Sequence, residues 1–376
     1  MNVLILTADY PPIEGGISTV TVQVARELAR AGHEVTVVAP YFPGQAEFDA
    51  LEPVSVVRYR GYHAGWLRLF PMWAASLPRL KGADVLLGIN VGCGGLIGRV
   101  TQLFRRVPYV TFAYAYEFLK FPKWSPWAWL LRSIYARSRL VVAISRFTRD
   151  QLVTFGAPEE KVVVILPGAP AVRPPSETRV EHVRHRYVLD SGPIVLAVGR
   201  FVRRKGQITL VRALPRILSR VPDAHLVLVG QGPRMYEVIQ EAYALGVRDH
   251  IVLPGRLSDK EVAALYEACT VFALPTGEDA GGQVEGFGLV FVEAQAYGKP
   301  VVAGRSGGVV DAVVDGETGL IVDPGNAEML ADAILRLLED SALARRLGEN
   351  GRRRVETELN WTAFTRRLLE ALEARL

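Results

Sequence analysis

MNVLILTADYPPIEGGISTVTVQVARELARAGHEVTVVAP, residues 1–40, holds a short apolar run, a turn rich in proline and glycine, a helical stretch and a second apolar run. Val3–Ala8 reads as a strand. From Ser18 the spacing of Val20, Val24, Ala25 and Leu28 makes one buried helical stripe, which Gly32 ends before a second strand at Glu34–Ala39. Strand, helix and strand joined by short turns is the unit that builds a parallel sheet. Working outward, further strands are predicted at Val54–Tyr59, Val85–Leu87, Tyr109–Ala113 and Leu140–Ile144. The pattern stops near Leu166, where Pro167, Pro170, Pro174 and Pro175 follow closely. It restarts at Ile194–Val198 and continues through Leu226–Val229, Ile251–Leu253, Val271–Ala273, Val301–Ala303 and Leu320–Val322.

The expected fold class is therefore α/β, with two Rossmann-like, doubly wound parallel-sheet domains facing across a cleft and ligands at the carboxyl ends of the strands. The similar lengths of the halves and the single short connection favour this over two unrelated domains. The predicted boundaries are 1–170 for the first domain, 171–190 for a linker and 191–358 for the second. A last segment, 359–376, carries Phe364, Leu368, Leu369 and Leu372 at helical spacing and is expected to pack back on the first domain.

Composition narrows the classes. The chain of 376 residues is 49% hydrophobic and 22% charged, which is ordinary globular chemistry for two cores. Cys93 and Cys269, far apart and outside any ligand-type spacing, suggest a reducing compartment, with neither a disulfide frame nor a zinc site. The N-terminus has no charged region ahead of its apolar run, so no signal peptide is expected. The most apolar stretch, Trp127–Ile144, is cut by Arg132, Arg137 and Arg139, which excludes a membrane span. Residues 1–180 hold 20 Lys and Arg against 13 Asp and Glu, a surplus of seven, whereas the remainder carries 24 against 26. An anionic partner is expected on the first half.

Three segments carry chemistry. Gly15 and Gly16 stand just before a helix, where a phosphate can approach backbone N–H groups and meet the positive end of the helix dipole. Alone, such a pair is equally a tight turn, and its spacing is not the G-x-G-x-x-G of nicotinamide enzymes. Arg200 follows the first strand of the second half directly and Lys205 comes five residues later. Guanidinium and ammonium suit a pyrophosphate, at roughly 1.5–3 kcal/mol for each charge-assisted hydrogen bond. Arg203 and Arg204 read as solvated loop charges.

In V284-E-G-F-G-L-V-F-V-E293, Glu285 precedes a helix expected to begin at the glycines, leaving the N–H groups of Gly286, Phe287, Gly288 and Leu289 exposed. Glu293 lies farther along that helix. Eight residues at a rise of 1.5 Å is about 12 Å, close to the reach from a donor sugar to the ribose of a nucleotide sugar. A carboxylate in so apolar a helix needs a polar partner.

This segment resembles the E-x7-E signature of family 4 of the retaining glycosyltransferases, which have the GT-B fold. Gly-Gly after the first strand, G-R-x4-K-G at 199–206 and S-G-G at 306–308 before Asp311 match that family in order, so the resemblance covers essentially the whole chain. Within the family, GHEVTVVAP at 32–40 and G-x-V-E-G-F-G at 282–288 look closest to bacterial enzymes such as the phosphatidylinositol mannosyltransferases. The resemblance implies a hexosyltransferase that takes a nucleotide-diphosphate sugar as co-substrate, with no metal, no cofactor and no nucleic acid. Gly16, Arg200 and Lys205 would bind the donor pyrophosphate. Glu285, Gly286, Phe287 and Gly288 would contact the donor sugar, Glu293 the ribose, and Arg256 the base. Arg200, Lys205 and Glu285 would carry catalysis by front-face substitution, in which the departing diphosphate takes the acceptor's proton. No Asp-x-Asp pair occurs anywhere in the chain.

The sequence departs from the family at T111-F-A-Y-A-Y-E-F, where a histidine is common. None occurs between His63 and His182; Ala113 or Tyr114 takes the position, and Tyr114, Tyr116 and Glu117 are candidates to shape the sugar pocket. A nucleotide-sugar epimerase on the same fold would need acidic and histidine groups around the sugar. A non-catalytic nucleotide-sugar-binding protein would not need the full set of Arg200, Lys205, Glu285 and Glu293.

Five of the six tryptophans fall between Trp66 and Trp129. Trp66, Leu69, Phe70 and Trp73 lie beside Arg68, Arg79 and Lys81, and Trp124 and Trp127 beside Lys120 and Lys123. Rings next to basic groups suit an anionic lipid interface, although core aromatics or a platform for a glycan acceptor explain them equally. The expected location is cytoplasmic, peripheral on the inner face of the membrane, with a lipid or glycan acceptor.

Overall fold

The computed structural model describes residues 1–63, 65–119, 124–189 and 191–375, without the side chain of Tyr116. Lys120 and Lys123 lie outside the described residues, as does the Tyr116 side chain. The chain divides into two compact units, Met1–Pro167 with Trp361–Leu376, and Gly168–Asn360.

The first unit is built on seven parallel strands: β1 (Asn2–Leu6), β2 (Glu34–Pro40), β3 (Ser55–Tyr59), β4 (Val85–Gly88), β5 (Tyr109–Ala113), β6 (Leu140–Ala143) and β7 (Val162–Val164). Their order is β3-β2-β1-β4-β5-β6-β7. Leu6 on β1 pairs with Val38 on one side and Gly88 on the other, so the order reverses between β1 and β4. β1, β4, β5 and β6 are almost completely buried, which explains their unbroken apolar runs. Burial of each such Leu, Val, Ile or Phe contributes about 1.5–3 kcal/mol. The first helix spans Gly16–Arg30, starting two residues before the expected Ser18, and buries Val20, Val24, Ala25 and Leu28. The helix Trp361–Glu373 belongs to this unit; Phe364 stacks on Phe112 at 6.4 Å and the Thr362 hydroxyl donates to Glu27 at 2.8 Å.

The second unit has six parallel strands: β8 (Ile194–Val198), β9 (His225–Val229), β10 (Ile251–Gly255), β11 (Val271–Leu274), β12 (Val301–Gly304) and β13 (Leu320–Val322), ordered β10-β9-β8-β11-β12-β13. Here the order reverses between β8 and β11. Both sheets are thus doubly wound, each with a switch point that parts two strand ends and leaves room for the loops that follow them.

Residues 171–190, expected as a linker, include the helix Glu177–Arg186, which packs on the helix Asp259–Ala268 through Arg186–Glu261 at 2.7 Å. Only Val183 of this helix is buried, so no apolar stripe announces it. Its Glu177 at the start and Arg184, His185 and Arg186 at the end suit the helix dipole. The edge strand β7 is only three residues long, too short for an apolar run to announce it.

Candidate active site

The switch point of the second sheet brings together a buried cluster of charges. β8 ends at Val198 and β11 at Leu274, side by side, so the loops after them meet. In the first loop the buried Phe201 anchors the chain, its N–H donating to Gln231 O at 3.0 Å, and Gln207 donates to Arg200 O at 3.0 Å. A single turn over Arg203–Lys205 then ends at Gly206. Gly206 has φ 71°, and a Cβ there would lie 2.3 Å from Pro275 O. The motif's last glycine is therefore where one loop touches the other; the N–H of Gly277 also donates to Arg204 O at 2.8 Å.

Across this contact Lys205 Nζ stands 2.7 Å from Glu285 Oε2 and Arg204 Nη1 stands 3.2 Å from the same oxygen, with all three side chains at least four-fifths buried. Arg203 is exposed, as expected, but Arg204 is a member of the cluster and not a solvated charge. Burial pushes the Glu285 carboxyl up, and Lys205, Arg204 and Arg200 outweigh it, so its pKa is held below the usual value. Ionised Glu285 thus stabilises the fold at neutral pH; that contribution is complete above the unfolded-state pKa and is lost as the pH falls through the lowered folded value. Arg200 itself is exposed.

The S-G-G motif holds Glu285 from behind. Gly308 N–H donates to Glu285 O at 2.9 Å, and Ser306 Oγ donates to Gly277 O at 3.1 Å. Gly307, at φ 48°, leaves no space for a side chain: a Cβ would sit 2.3 Å from Glu285 O. The helix that follows starts later than expected, at Leu289, with Gly288 at φ 91° as its cap and Phe287 buried. The helical rise therefore applies to only half of the interval between the two glutamates, and the 12 Å extrapolated from eight helical residues does not hold. Within the helix Leu289–Ala296, Glu293 accepts a hydrogen bond from Tyr266 at 2.9 Å, and Tyr266 stacks on Tyr297 at 5.5 Å. Burial raises the Glu293 pKa, Tyr266 and Lys205 lower it, and Asp259 raises it, with a net upward shift. Lys205 thus acts on both carboxylates. Arg256 is exposed just past the edge strand β10, with β9 between it and β8.

The first unit has its own switch point. After β1 and β4, Asn90 donates to Asp9 Oδ2 at 2.8 Å and accepts from the N–H of Ala8 at 2.8 Å. Gly15 and Gly16 are exposed, nothing lies within 4 Å of a Cβ built on Gly15, and Gly15 caps the first helix. Arg58 holds this turn, donating to Pro11 O at 2.9 Å, to Pro40 O at 2.8 Å and to Asp49. At the end of β5, Ala113 is buried in the strand and Tyr114 is the first residue to leave it. Its phenol oxygen is buried without a hydrogen-bond partner among the described residues. Burial, with Glu117 and Asp9, pushes that phenol far above its ordinary pKa, so it remains a neutral donor. The Glu117 carboxylate accepts from Tyr114 N–H at 2.8 Å. Nothing in the sequence singles out Tyr266, Asp9, Asn90 or Arg58, and Arg204 looks there like a solvated charge, because their pairings are set by tertiary packing.

Residues 14–173 match the profile of glycosyltransferase family 4, and residues 182–354 that of glycosyl transferases group 1. The GDP-mannose-dependent alpha-(1-6)-phosphatidylinositol monomannoside mannosyltransferase of Mycolicibacterium smegmatis is 33% identical, over 99% of this chain and 98% of its own length. The chain belongs to glycosyltransferase family 4. The mannosyltransferase of the same description from Mycobacterium tuberculosis is 32% identical over the same shares. Among solved structures, Anabaena HepE in complex with UDP and glucose superposes with TM-score 0.84 at 21% identity, covering 100% of both chains. Sucrose-phosphate synthase from Thermosynechococcus elongatus gives 0.83 at 25% identity, covering 100% of this chain and 98% of that one. The fold is GT-B, and the resemblance drawn from the motifs is borne out. This family 4 member is a glycosyltransferase.

Proposed function

We propose that the enzyme is a retaining mannosyltransferase that uses GDP-mannose and a membrane glycolipid of the phosphatidylinositol mannoside type. The donor and acceptor come from the relatives' activities, and the observation that carries the chemistry is the Lys205–Glu285–Arg204 cluster at the switch point. Arg200 and Lys205 take the diphosphate, stabilising the charge that grows on it as the glycosidic bond breaks. Glu285, held ionised, accepts hydrogen bonds from the sugar hydroxyls, with Gly286, Phe287, Gly288 and Leu289 beside it. Glu293 takes the ribose diol, and Arg256 is the candidate to contact the base. The departing diphosphate removes the acceptor's proton on the face it leaves, which gives retention without an enzymatic nucleophile. The reaction needs no metal because Arg200, Arg204 and Lys205 supply the positive charge a divalent ion would bring. Within the first unit, Gly15 and Gly16 offer an open anion-binding helix start and Tyr114 a neutral hydroxyl.

Peripheral association with the inner face of the membrane fits the exposure of Trp66, Phe70, Trp124, Trp127 and Trp129, whereas Trp73 packs against the core of the first unit. Among the described residues no helix is long and apolar enough to cross a membrane.

Thermal shift tests the donor. Binding raises stability by RT ln(1 + [L]/Kd), about 2.7 kcal/mol at 100 times Kd. GDP-mannose is expected to raise the melting temperature more than UDP- or ADP-sugars, and a larger shift with either would overturn the donor. Retention is read from the anomeric configuration of the product, and metal independence from unchanged turnover in chelator.

Tyr266→Phe tests Glu293. Loss of the donated hydrogen bond raises the Glu293 pKa further, so the acid limb of kcat/KM should move to higher pH and the donor KM should rise. An acid limb that stays in place would remove Glu293 from ribose binding.

A further inference from the structure

Two cations converge on one oxygen of Glu285. Lys205 Nζ and Arg204 Nη1 both make their closest contact with Oε2, at 2.7 Å and 3.2 Å, which leaves Oε1 for the sugar. The diphosphate reading gives Lys205 a second duty, because its single charge must answer the charge growing on the departing group. As the ammonium turns to that group, its hold on Glu285 weakens. A carboxylate with 15% of its side-chain surface exposed needs a cation beside it to stay ionised. Arg200 also lowers the Glu285 pKa, but it contributes least of the three cations, is exposed, and is itself assigned to the diphosphate.

Arg204 has no such second duty. Its backbone is fastened to the loop after β11, where its carbonyl accepts from Gly277 N–H at 2.8 Å. Its side chain is 19% exposed, and among the described residues Glu285 is the carboxylate it pairs with. We infer that Arg204 is the positioning residue that keeps Glu285 ionised, with Oε1 toward the sugar, while Lys205 serves the diphosphate. The inference rests on the donor-binding reading above and adds a residue to it. By answering Glu285, Arg204 frees the charge of the lysine for the leaving group. The G-R-x4-K-G motif at 199–206 passes over this residue, since only Arg200 and Lys205 are fixed in it.

The test compares the acid limbs of two pH profiles, because kcat/KM reports ionisations of the free enzyme and kcat those of the enzyme–substrate complex. Removing a cation from beside a carboxylate raises its pKa, so protonation and loss of rate set in at higher pH. For Arg204→Gln the acid limb of kcat should move up by about one pH unit, the low end for a lost opposite charge. The limb of kcat/KM should move by less than half as much, because Lys205 still holds Glu285 before substrate binds. Arg204→Lys should bring the kcat limb most of the way back. Equal movement of both limbs, or of neither, would overturn the inference. Glu293 also titrates here, but its charged neighbours are Asp259 and Lys205, so its contribution is common to both proteins.

Calorimetry gives a readout without turnover. In mildly acidic buffer Arg204→Gln should weaken GDP-mannose about tenfold, the equivalent of one pKa unit, and should leave GDP, which has no sugar, nearly unchanged. A loss shared equally by the two ligands would put Arg204 on the diphosphate and overturn the inference. Retained GDP binding shows that each variant folds. Combined with Glu285→Gln, Arg204→Gln should cost nothing further, since a residue acting through another is not additive with it. Additive losses would sink the inference alone. The transferase reading fails differently. Wild type with no thermal response to GDP-mannose sinks the donor, and the comparison then uses the nucleotide sugar that does respond. Full turnover in Glu285→Gln sinks the sugar contact and the inference with it.

Discussion

Lys205→Ala is expected to lower kcat/KM by about 10²–10³, the cost of removing one group that stabilises developing charge. Lys205 is the nearest cation to Glu285, at 2.7 Å, and its charge also acts on Glu293. Breaking a buried ion pair can cost about 3–5 kcal/mol, but Arg204 stays 3.2 Å from Glu285, so the carboxylate keeps a partner and the melting temperature should fall less than that figure implies. Kinetics and a thermal melt of the same preparation separate the two effects. A variant with full turnover would remove the lysine from the chemistry. Lys205→Arg should recover charge but only part of the rate, because a planar fork cannot occupy the place of a compact ammonium.

Gly307→Ala makes an equally severe demand on a residue that touches no substrate. The added methyl would meet the Glu285 carbonyl at 2.3 Å, and φ 48° is a conformation that costs a non-glycine residue roughly 1–2 kcal/mol. The loop carrying Glu285 must move, and a displacement near 1 Å in a catalytic group can cost about 100-fold. The expected outcome is a loss of about that size in kcat/KM with a smaller loss of stability. Gly316→Ala is the control: it has φ 73° with nothing within 4 Å of the new Cβ, so it should share the strain and keep the activity. If both variants keep wild-type turnover, Gly307 does not position Glu285.

These two residues show what was legible in the chain. Lys205 and Glu285 could be picked out because motif spacing and apolar runs placed them after particular strands, and the doubly wound order then joins those strand ends. Arg204 could not, because its partner lies 81 positions away and nothing beside it distinguishes a paired arginine from a hydrated one. S-G-G was recognisable as a pattern, yet its work, filling the space behind a carbonyl, is visible only in three dimensions. Tyr266 and Glu293 likewise meet through tertiary packing. The helix Glu177–Arg186 was lost for the opposite reason: it buries too little for periodicity to show. The strands were easiest to read because sheets covered on both faces write continuous apolar runs.

The helix Trp361–Glu373 completes a hydrophobic layer begun by Phe112 hundreds of residues earlier, after the chain has traversed Gly168–Asn360. On the ribosome, at roughly 5–20 residues per second, the amino-terminal body would wait tens of seconds for its final piece, whereas the second body emerges whole. A released chain truncated after Asn360 should therefore carry a protease-resistant second half and a chaperone-dependent first half.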